Sequence, residues 1–198
     1  MALYLSIIFI ALVAIVSFDG IVATKIFQID AWIFVNAIII SFVFIVLINI
    51  FFAIFVSILP KKWFGVSNKF FHVSKNERKF YEKLKIRKWK DKIWELGWLG
   101  GFSKSSIKEP HDPKYVERFV VESQKGIIDH VSRMIFGFAI ILIFPEFAWV
   151  VGFPIAVVNF FLNLLSTLVL RYNLPKLEIM YSRLIKYSEA KQDEGSLT

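Results

Sequence analysis

The chain contains no cysteine, and only three of its 198 residues are histidine: His72, His111 and His130. The absence of cysteine excludes disulfide bonds, Cys-ligated metals and a cysteine-bound acyl-enzyme. The histidine spacing matches no zinc pattern, so we expect no protein-bound metal. Any histidine chemistry is therefore expected to rest on one of these three side chains, without a metal.

Charge is almost absent from four apolar stretches, residues 2–18, 31–59, 127–144 and 147–170. With a rise of about 1.5 Å per residue, each could cross or nearly cross a hydrocarbon layer of about 30 Å as a helix. The composition is 57% hydrophobic with 22 phenylalanines and a mean hydropathy of +0.60, more apolar surface than one soluble core requires. The sequence therefore predicts an all-α integral membrane bundle of about four transmembrane helices.

The third stretch is the least apolar, because Asp129, His130 and Arg133 lie in its first turns. We expect it to begin at the membrane interface and to continue a cytoplasmic helix. Pro145 and Glu146 then predict a tight reversal. Stretches three and four are therefore predicted to form an antiparallel helical hairpin.

Positive charge is concentrated between the second and third stretches, where residues 61–125 hold 17 of the 24 lysines and arginines. The positive-inside rule predicts that this segment and both termini face the cytoplasm, with 19–30 and 145–146 outside. Four segments follow: two spans in 1–60, a basic loop at 61–126, the hairpin at 127–170 and a cytoplasmic tail at 171–198. The polar end of the tail, 194–198, is expected to be disordered.

Residues 76–96 have the pattern of a basic amphipathic helix, with lysines and arginines between regularly spaced apolar residues. The apolar residues are Phe80, Leu84, Ile86, Trp89, Ile93 and Leu96. Beside a membrane, such a helix lies in the headgroup plane. A nucleic-acid surface is the other interpretation of such a pattern, but a tether between two spans disfavours it. The glycine-rich turn at 97–104 lacks the Gly-Lys-Ser/Thr ending of a phosphate-binding loop.

Asp112 and Pro113 predict the start of the helix that leads into the third stretch, with Asp112 as its cap. One face of this helix is small and apolar and is expected to be buried. Its members are Val116, Phe119, Val120, Ser123 and Ile127.

Glu122, Asp129, His130 and Arg133 lie on this helix as it enters the bilayer. Ionisable side chains at that depth are costly and normally face the protein interior, which makes them functional candidates. For His130 and Glu122 we favour a functional role over simple hydrogen bonding in the bundle. For Asp129 we favour neutralisation by Arg133, four residues later.

Asn159 and Asn163 lie one turn apart in the fourth stretch, and we expect them to hold helices together. Arg171 follows at the cytoplasmic end, and hairpin geometry predicts that it returns to the depth of His130. A neutral histidine beside such a cation suits group transfer from a phosphate-bearing donor to a hydroxyl. The histidine takes the hydroxyl proton, and the arginine holds a donor phosphate or the developing oxyanion.

Several blocks of this chain, in order and spacing, resemble the glycosyl-4,4'-diaponeurosporenoate acyltransferase family over roughly residues 63–184. These blocks are Arg87-Lys88-Trp89-Lys90-Asp91-Lys92, Gly100-Gly101-Phe102-Ser103-Lys104, Glu117-Arg118-Phe119, Glu122-Ser123-Gln124-Lys125-Gly126 with His130, and Arg171-Tyr172-Asn173-Leu174-Pro175-Lys176-Leu177. The resemblance implies a small membrane enzyme of the bacterial cell membrane, of the kind used in carotenoid biosynthesis. The implied activity is O-acyl transfer from acyl-CoA to a hydroxyl of a glycosylated terpenoid or other glycolipid, with no tightly bound cofactor.

With this activity, His130 is the expected general base, Glu122 orients or charges it, and Arg171 holds phosphate or oxyanion. The expected substrate-binding residues are Arg87, Lys88, Trp89, Lys90, Lys104, Tyr172 and Asn173. Two other functions remain open. One is a membrane methyltransferase with an adenosyl cofactor; the other is a non-enzymatic scaffold or lipid-binding subunit that docks through its basic block.

Overall fold

The computed structural model describes residues 2–93, 102, 104, 106–143 and 145–196, with backbone alone at 2–3 and 193–196. These residues form helices and irregular segments without a strand, which confirms the all-α prediction. They divide into two compact units. The span unit draws on Met1–Ile58, Lys92–Trp94 and Ile128–Ser166, and the basic unit on Leu59–Asp91, Glu95–Ile127 and Thr167–Thr198.

Helix α1 spans Ala2–Ala14 and continues through π-helical turns at Ile15–Asp19 and Val22–Ile26. The predicted end at residue 18 is therefore too early, and most of the loop predicted at 19–30 is helical. The residues after Gly20 continue the apolar run, and Ala23 among them is fully buried in an apolar cluster. This burial favours a helix that extends past residue 18. The Thr24 hydroxyl also donates to the Gly20 carbonyl at 2.8 Å.

Helix α2 spans Ala31–Ser57, close to the prediction. Asp30 caps it by accepting a hydrogen bond from the Trp32 N–H at 2.7 Å. Only a narrow stripe of α2 is buried, while most of its large apolar side chains are exposed, as lipid-facing residues are. The buried residues are Phe34, Ala37, Ser41, Ile45, Phe52 and Val56.

Helix α5 spans Pro113–Phe136 and is followed by 3-10 turns at Gly137–Leu142 and Pro145–Phe147 and a π-helical turn at Ala148–Gly152. Helix α6 spans Phe153–Ser196. In the span unit, residue 130 contacts 163, residue 133 contacts 159, and 141 lies against 152. In these contacts the residue numbers of the first segment rise as those of the second fall, so the two segments run antiparallel. This antiparallel packing is what the predicted hairpin requires, and its crossing of a membrane stays a prediction.

Three helical segments among the described residues are long and apolar enough to cross a membrane: Tyr4–Ile26, Ala31–Ser57 and Pro145–Gln192. The third predicted span, 127–144, is not one of them. Its α-helix ends at Phe136, and its early turns carry the charged residues Asp129 and Arg133. The number of membrane passes therefore stays a prediction.

The basic unit contains helix α3, Lys75–Lys83, and the single turn α4, Ile86–Trp89, followed by a 3-10 turn at Lys90–Lys92. The single helix predicted at 76–96 is therefore wrong. Lys85 adopts a left-handed conformation with φ 52°, which ends α3 and turns the chain. The turn also changes the buried face, because Tyr81 and Ile86 are buried whereas Phe80 is 52% exposed. Residues 94–96 and most of the glycine-rich turn at 97–104 lie outside the described residues.

Helix α5 begins as predicted, with the Asp112 side chain accepting from the Lys114 N–H at 2.9 Å. Its predicted face is also confirmed, since Val116, Phe119, Val120, Ser123 and Ile127 are all buried. Helix α6 continues through Pro175 to Ser196, so the predicted tail is helical over most of its length. Leu174 and Leu177 are buried on either side of Pro175, and this packing favours a continuous helix despite the lost N–H.

Candidate functional site

His130 lies on α5 and is partly buried in the span unit. Its Nδ1 atom lies 2.9 Å from Oδ1 of Asn163 on α6. Asn163 was predicted to join helices, and it does so through the histidine that was predicted to be the catalytic base. The sequence predicted that the Glu122 carboxylate orients the His130 ring. In this contact the orienting group is instead the buried amide of Asn163. The candidate base is therefore held in a defined orientation inside the hairpin.

Asn163 belongs to a network of buried amides that joins three helices of the span unit. The Asn163 amide nitrogen donates to the Asn159 carbonyl at 2.9 Å and to the Asn159 side-chain oxygen at 3.1 Å. The Asn159 amide nitrogen donates to the Arg133 carbonyl at 3.0 Å. Asn49 on α2 donates to the Asn159 side-chain oxygen at 3.1 Å. The predicted role of Asn159 and Asn163 in helix association is confirmed, and Asn49 is added to it.

Asp129 and Arg133 form an ion pair along α5, with Arg133 Nη2 at 2.6 Å from Asp129 Oδ2. Both side chains are less than one-fifth exposed. The predicted neutralisation of Asp129 by Arg133 is confirmed. Pairing offsets part of the cost of placing these two charges in a mostly buried position, where removing either partner would leave the other charge uncompensated.

Arg171 in the basic unit forms a bidentate ion pair with Glu77 of α3. Its Nε donates to Glu77 Oε1 at 2.6 Å and its Nη2 to Oε2 at 2.9 Å. Nη2 also lies 3.4 Å from the His72 carbonyl oxygen. The sequence predicted that this guanidinium binds a substrate anion, but here a carboxylate of the same chain occupies it. Arg171 is thus a cross-link between α3 and α6.

Tyr81 completes this cluster by donating its hydroxyl to Glu77 Oε1. Burial and the hydrogen bond to Glu77 raise the pKa of Tyr81 to about 12. Burial alone would raise the pKa of Glu77, but hydrogen bonds from Arg171 and Tyr81 and the charge of Arg171 outweigh burial, so the Glu77 pKa lies below 4.5. At neutral pH the cluster therefore holds a carboxylate and a protonated phenol.

An apolar cluster packs beneath the ion pair and brings two predicted site residues together. Tyr81 and Ile86 form its buried centre with Val73, and Trp89 and Tyr172 pack against it. The Trp89 indole N–H donates to the Leu84 carbonyl at 3.0 Å. Trp89 and Tyr172 therefore share one wall in the basic unit, beside the Arg171 ion pair.

The cations of α4 lie on its outer surface. Arg87 and Lys88 are exposed, and Lys90 is partly exposed with its Nζ 3.4 Å from Asp91 Oδ1. An exposed pair such as Lys90–Asp91 contributes little to stability. Arg87 and Lys88 are thus presented to solvent, and their binding of substrate phosphates stays a prediction.

Glu122, Lys104 and Asn173 are partly buried in the basic unit. Lys104 lies against α5: a Cβ added to Gly126 would stand 3.1 Å from the Lys104 amine and 2.9 Å from Leu170. The glycine thus allows the lysine and the helix to approach closely. Of the ten predicted site residues, nine belong to the basic unit, and His130 alone belongs to the span unit.

Sequence analysis did not identify Glu77, Tyr81 and Gln124. Gln124 is fully buried, and its amide both accepts from the Gly65 N–H at 2.7 Å and donates to the Gly65 carbonyl at 3.0 Å. Glu77 and Tyr81 lie one helical turn apart on α3, and this i, i+4 spacing was the available signal.

No group of three acidic or histidine side chains in the described part of the chain is arranged to hold a metal ion.

Apolar helices of spanning length make the chain a membrane protein. The family model for glycosyl-4,4'-diaponeurosporenoate acyltransferase matches residues 60–183, more than half of the chain. The chain therefore belongs to this family and is an acyltransferase. No curated protein and no solved structure gave a significant match. The matched range covers all ten predicted site residues.

Proposed function

We propose that this protein transfers a fatty acyl group from acyl-CoA to a hydroxyl of a glycosylated terpenoid or other glycolipid, with His130 as general base. The family name supports an acyl donor and a glycosylated carotenoid-type acceptor. The observation that carries the role of His130 is its 2.9 Å contact with Asn163. An imidazole that is oriented by a fixed neighbour and partly buried between helices is suited to take a proton from a hydroxyl.

In the proposed reaction, His130 removes the proton as the acceptor oxygen attacks the thioester carbonyl carbon. The resulting tetrahedral intermediate collapses with cleavage of the carbon–sulfur bond. The departing thiolate takes the proton back from the imidazolium, so the products are an ester and free CoA. No acyl-enzyme is needed, which agrees with a chain that has no cysteine.

The proposed donor site is the cationic surface of the basic unit. Exposed Arg87 and Lys88, together with Lys90 and Lys104, would bind CoA phosphates. Trp89 and Tyr172 would supply an aromatic wall beside them. Arg171 can hold a donor phosphate only if its bonds to Glu77 are exchanged for the ligand, so its first role in this proposal is to position α3 and α4.

Three further parts of the proposal concern Glu122, Asn173 and the orientation in the membrane. Glu122 and Asn173, both partly buried in the basic unit, are proposed to contribute to substrate binding there. The protein would lie in the bacterial cytoplasmic membrane as a multi-pass protein with both termini in the cytoplasm, because its cations are concentrated in the basic unit. The proposed acyl-CoA donor is a cytoplasmic metabolite, which fits that orientation.

Lipid mass spectrometry on cells tests the proposal. Cells with the gene intact, deleted, or carrying His130→Ala are compared, with His111→Ala as the control because His111 is an exposed histidine away from the hairpin. The proposal predicts a glycolipid heavier by one fatty acyl group in the intact strain and the control only. An identical lipid profile in all four strains would overturn it.

The same measurement, extended to a strain in which Lys88 and Lys90 are both changed to Glu, separates the other functions. A scaffold predicts normal function with His130→Ala and loss of function when Lys88 and Lys90 are both changed to Glu. A methyltransferase predicts a product heavier by a methyl group and an adenosyl cofactor that copurifies. The acyltransferase proposal predicts loss in both the histidine variant and the charge-reversed variant.

A further inference from the structure

The buried amides of the span unit have only one consistent orientation. The Arg133 carbonyl can only accept, so the Asn159 group 3.0 Å from it must be the NH2 end. The Asn159 side-chain oxygen then points the other way, where it accepts from Asn49 and Asn163 at 3.1 Å each. Backbone carbonyls also anchor these two donors: Ile45 accepts from Asn49 at 2.7 Å, and Asn159 from Asn163 at 2.9 Å.

This orientation reaches His130. Because the NH2 end of Asn163 is directed at Asn159, its oxygen is the atom that faces the imidazole, 2.9 Å from Nδ1. An amide oxygen only accepts, so the ring must donate from Nδ1. In the neutral ring, the lone pair then resides on Nε2. Reversing Asn159 would set its NH2 against two other NH2 groups and its oxygen against a carbonyl, so the chain of amides resists reversal.

We infer that Asn163, held by Asn159 and Asn49, is a positioning residue that fixes the neutral His130 ring as the Nδ1–H tautomer and makes Nε2 the basic nitrogen. The catalytic importance of this tautomer rests on the proposed function, but the tautomer itself does not. Asn159 and Asn163 are 5% and 6% exposed, so water does not readily replace these contacts. The wrong tautomer disables a histidine base even where geometry is preserved.

Nitrogen NMR of the purified protein tests the inference directly. His72→Gln and His111→Gln leave His130 as the sole histidine, and selective ¹⁵N labelling then reports which ring nitrogen carries the proton when the ring is neutral. The inference predicts Nδ1–H. A spectrum dominated by Nε2–H would overturn it, even if no further variant can be made.

Asn163→Leu removes the acceptor while keeping a similar shape, and Asn49→Leu weakens the network one step away. The matched control is Asn36→Leu, because Asn36 also lies on α2 but its amide donates to the Trp32 carbonyl of its own helix. We expect loss of the Nδ1–H preference in Asn163→Leu, a smaller effect in Asn49→Leu, and none in the control. An unchanged tautomer in Asn163→Leu would also overturn the inference.

Activity separates the inference from the proposed function. If both hold, Asn163→Leu lowers kcat by about 10- to 100-fold with little change in KM, as second-sphere partners of a catalytic histidine typically do. If His130→Ala keeps full acyl transfer while the tautomer is Nδ1–H, the proposed base fails and the positioning by Asn163 stands. If His130→Ala is inactive while the tautomer is Nε2–H, the base stands and the positioning fails.

Discussion

Arg171, Glu77 and Tyr81 form a charged cluster that joins α3 to α6 in the basic unit. Removing one partner of such a cluster costs more than the intact pair contributes, because the remaining charge stays partly buried without its partner. The cluster also holds α3 at a fixed position next to α4, whose cations face outward. A single carboxylate thereby determines where the proposed phosphate-binding surface lies.

Glu77→Gln should lower the free energy of unfolding at about pH 7 by roughly 1 to 3 kcal/mol. The Glu77 pKa is lower in the folded protein than its usual 4.5. Its contribution is therefore fully present above that value and is lost as the pH falls through the lowered folded-state pKa. Thermal unfolding of the detergent-solubilised wild type and variant should show a gap that closes on acidification. Glu82→Gln, an exposed glutamate on the same segment, is the control. A gap that widens in acid would contradict this assignment.

At the scale of helices and turns, the hairpin of α5 and α6 requires glycine at two close approaches. A Cβ on Gly137 would lie 2.2 Å from the Asn159 amide nitrogen, and one on Gly152 would lie 3.2 Å from the Ile141 Cα. Both distances are shorter than an ordinary contact, and the Gly137 distance leaves no room for a methyl group. The close packing of the hairpin at Gly137 therefore also holds Asn159 of the amide network in place.

Gly137→Ala should displace Asn159 and destabilise the protein by about 1 to 3 kcal/mol, the usual cost of overpacking. The matched control is Gly20→Ala, also in a helix of the span unit, where the added Cβ would meet the Phe34 ring at an ordinary 3.4 Å. Thermal unfolding should show a loss for Gly137→Ala and little change for Gly20→Ala. Equal stability of the two variants would contradict the close approach.

The break between α3 and α4 depends on Lys85, a non-glycine residue with φ 52°. Lys85→Gly should stabilise the protein by about 0.5 to 1 kcal/mol, because glycine adopts a left-handed conformation without steric cost. Lys79→Gly, at an exposed position in the middle of α3, should instead destabilise it by about 1 kcal/mol. Denaturant unfolding of both variants measures the two signs. Destabilisation by Lys85→Gly would indicate a continuous helix, as the sequence pattern alone predicted.

At the scale of the whole molecule, the orientation in the membrane is open to a direct test. The natural absence of cysteine makes single-cysteine labelling simple. With a four-pass topology, the variants Gln28→Cys and Glu146→Cys should react with an impermeant thiol reagent added outside intact cells, and Ser106→Cys should react only after the cells are opened. Labelling of Gln28→Cys but not Glu146→Cys from outside would show that residues 127–144 do not complete a pass.

The sequence predicted the helical class, the bounds of α2, the start of α5 and the hairpin, because apolar length, a cap and a turn are local signals. It did not predict the extension of α1 to Ile26 or the break at Lys85. At Lys85 the tertiary burial of Tyr81 and Ile86 outweighs a regular apolar pattern. Tertiary contacts decided these cases, and a single sequence does not display them.

The same contrast between local sequence signals and tertiary contacts applies to the candidate site. Asp129–Arg133 was predictable as an i, i+4 pair on one helix, and the structure contains it. The pairing of Arg171 with Glu77 joins residues 94 positions apart. No spacing rule connects them, so Arg171 was predicted only as an anion-binding residue. Long-range pairing therefore limits the prediction of the site more than residue type does.

Acyl transfer from acyl-CoA with His130 as base can be measured with purified protein in lipid vesicles. Radiolabelled acyl-CoA and a glycolipid extract are supplied to wild type, His130→Ala and His111→Ala proteins, and label in the glycolipid fraction is measured. We expect labelled glycolipid with wild type and His111→Ala, and only background with His130→Ala. Full labelling with His130→Ala, or no transfer from acyl-CoA by active wild-type protein, would contradict it.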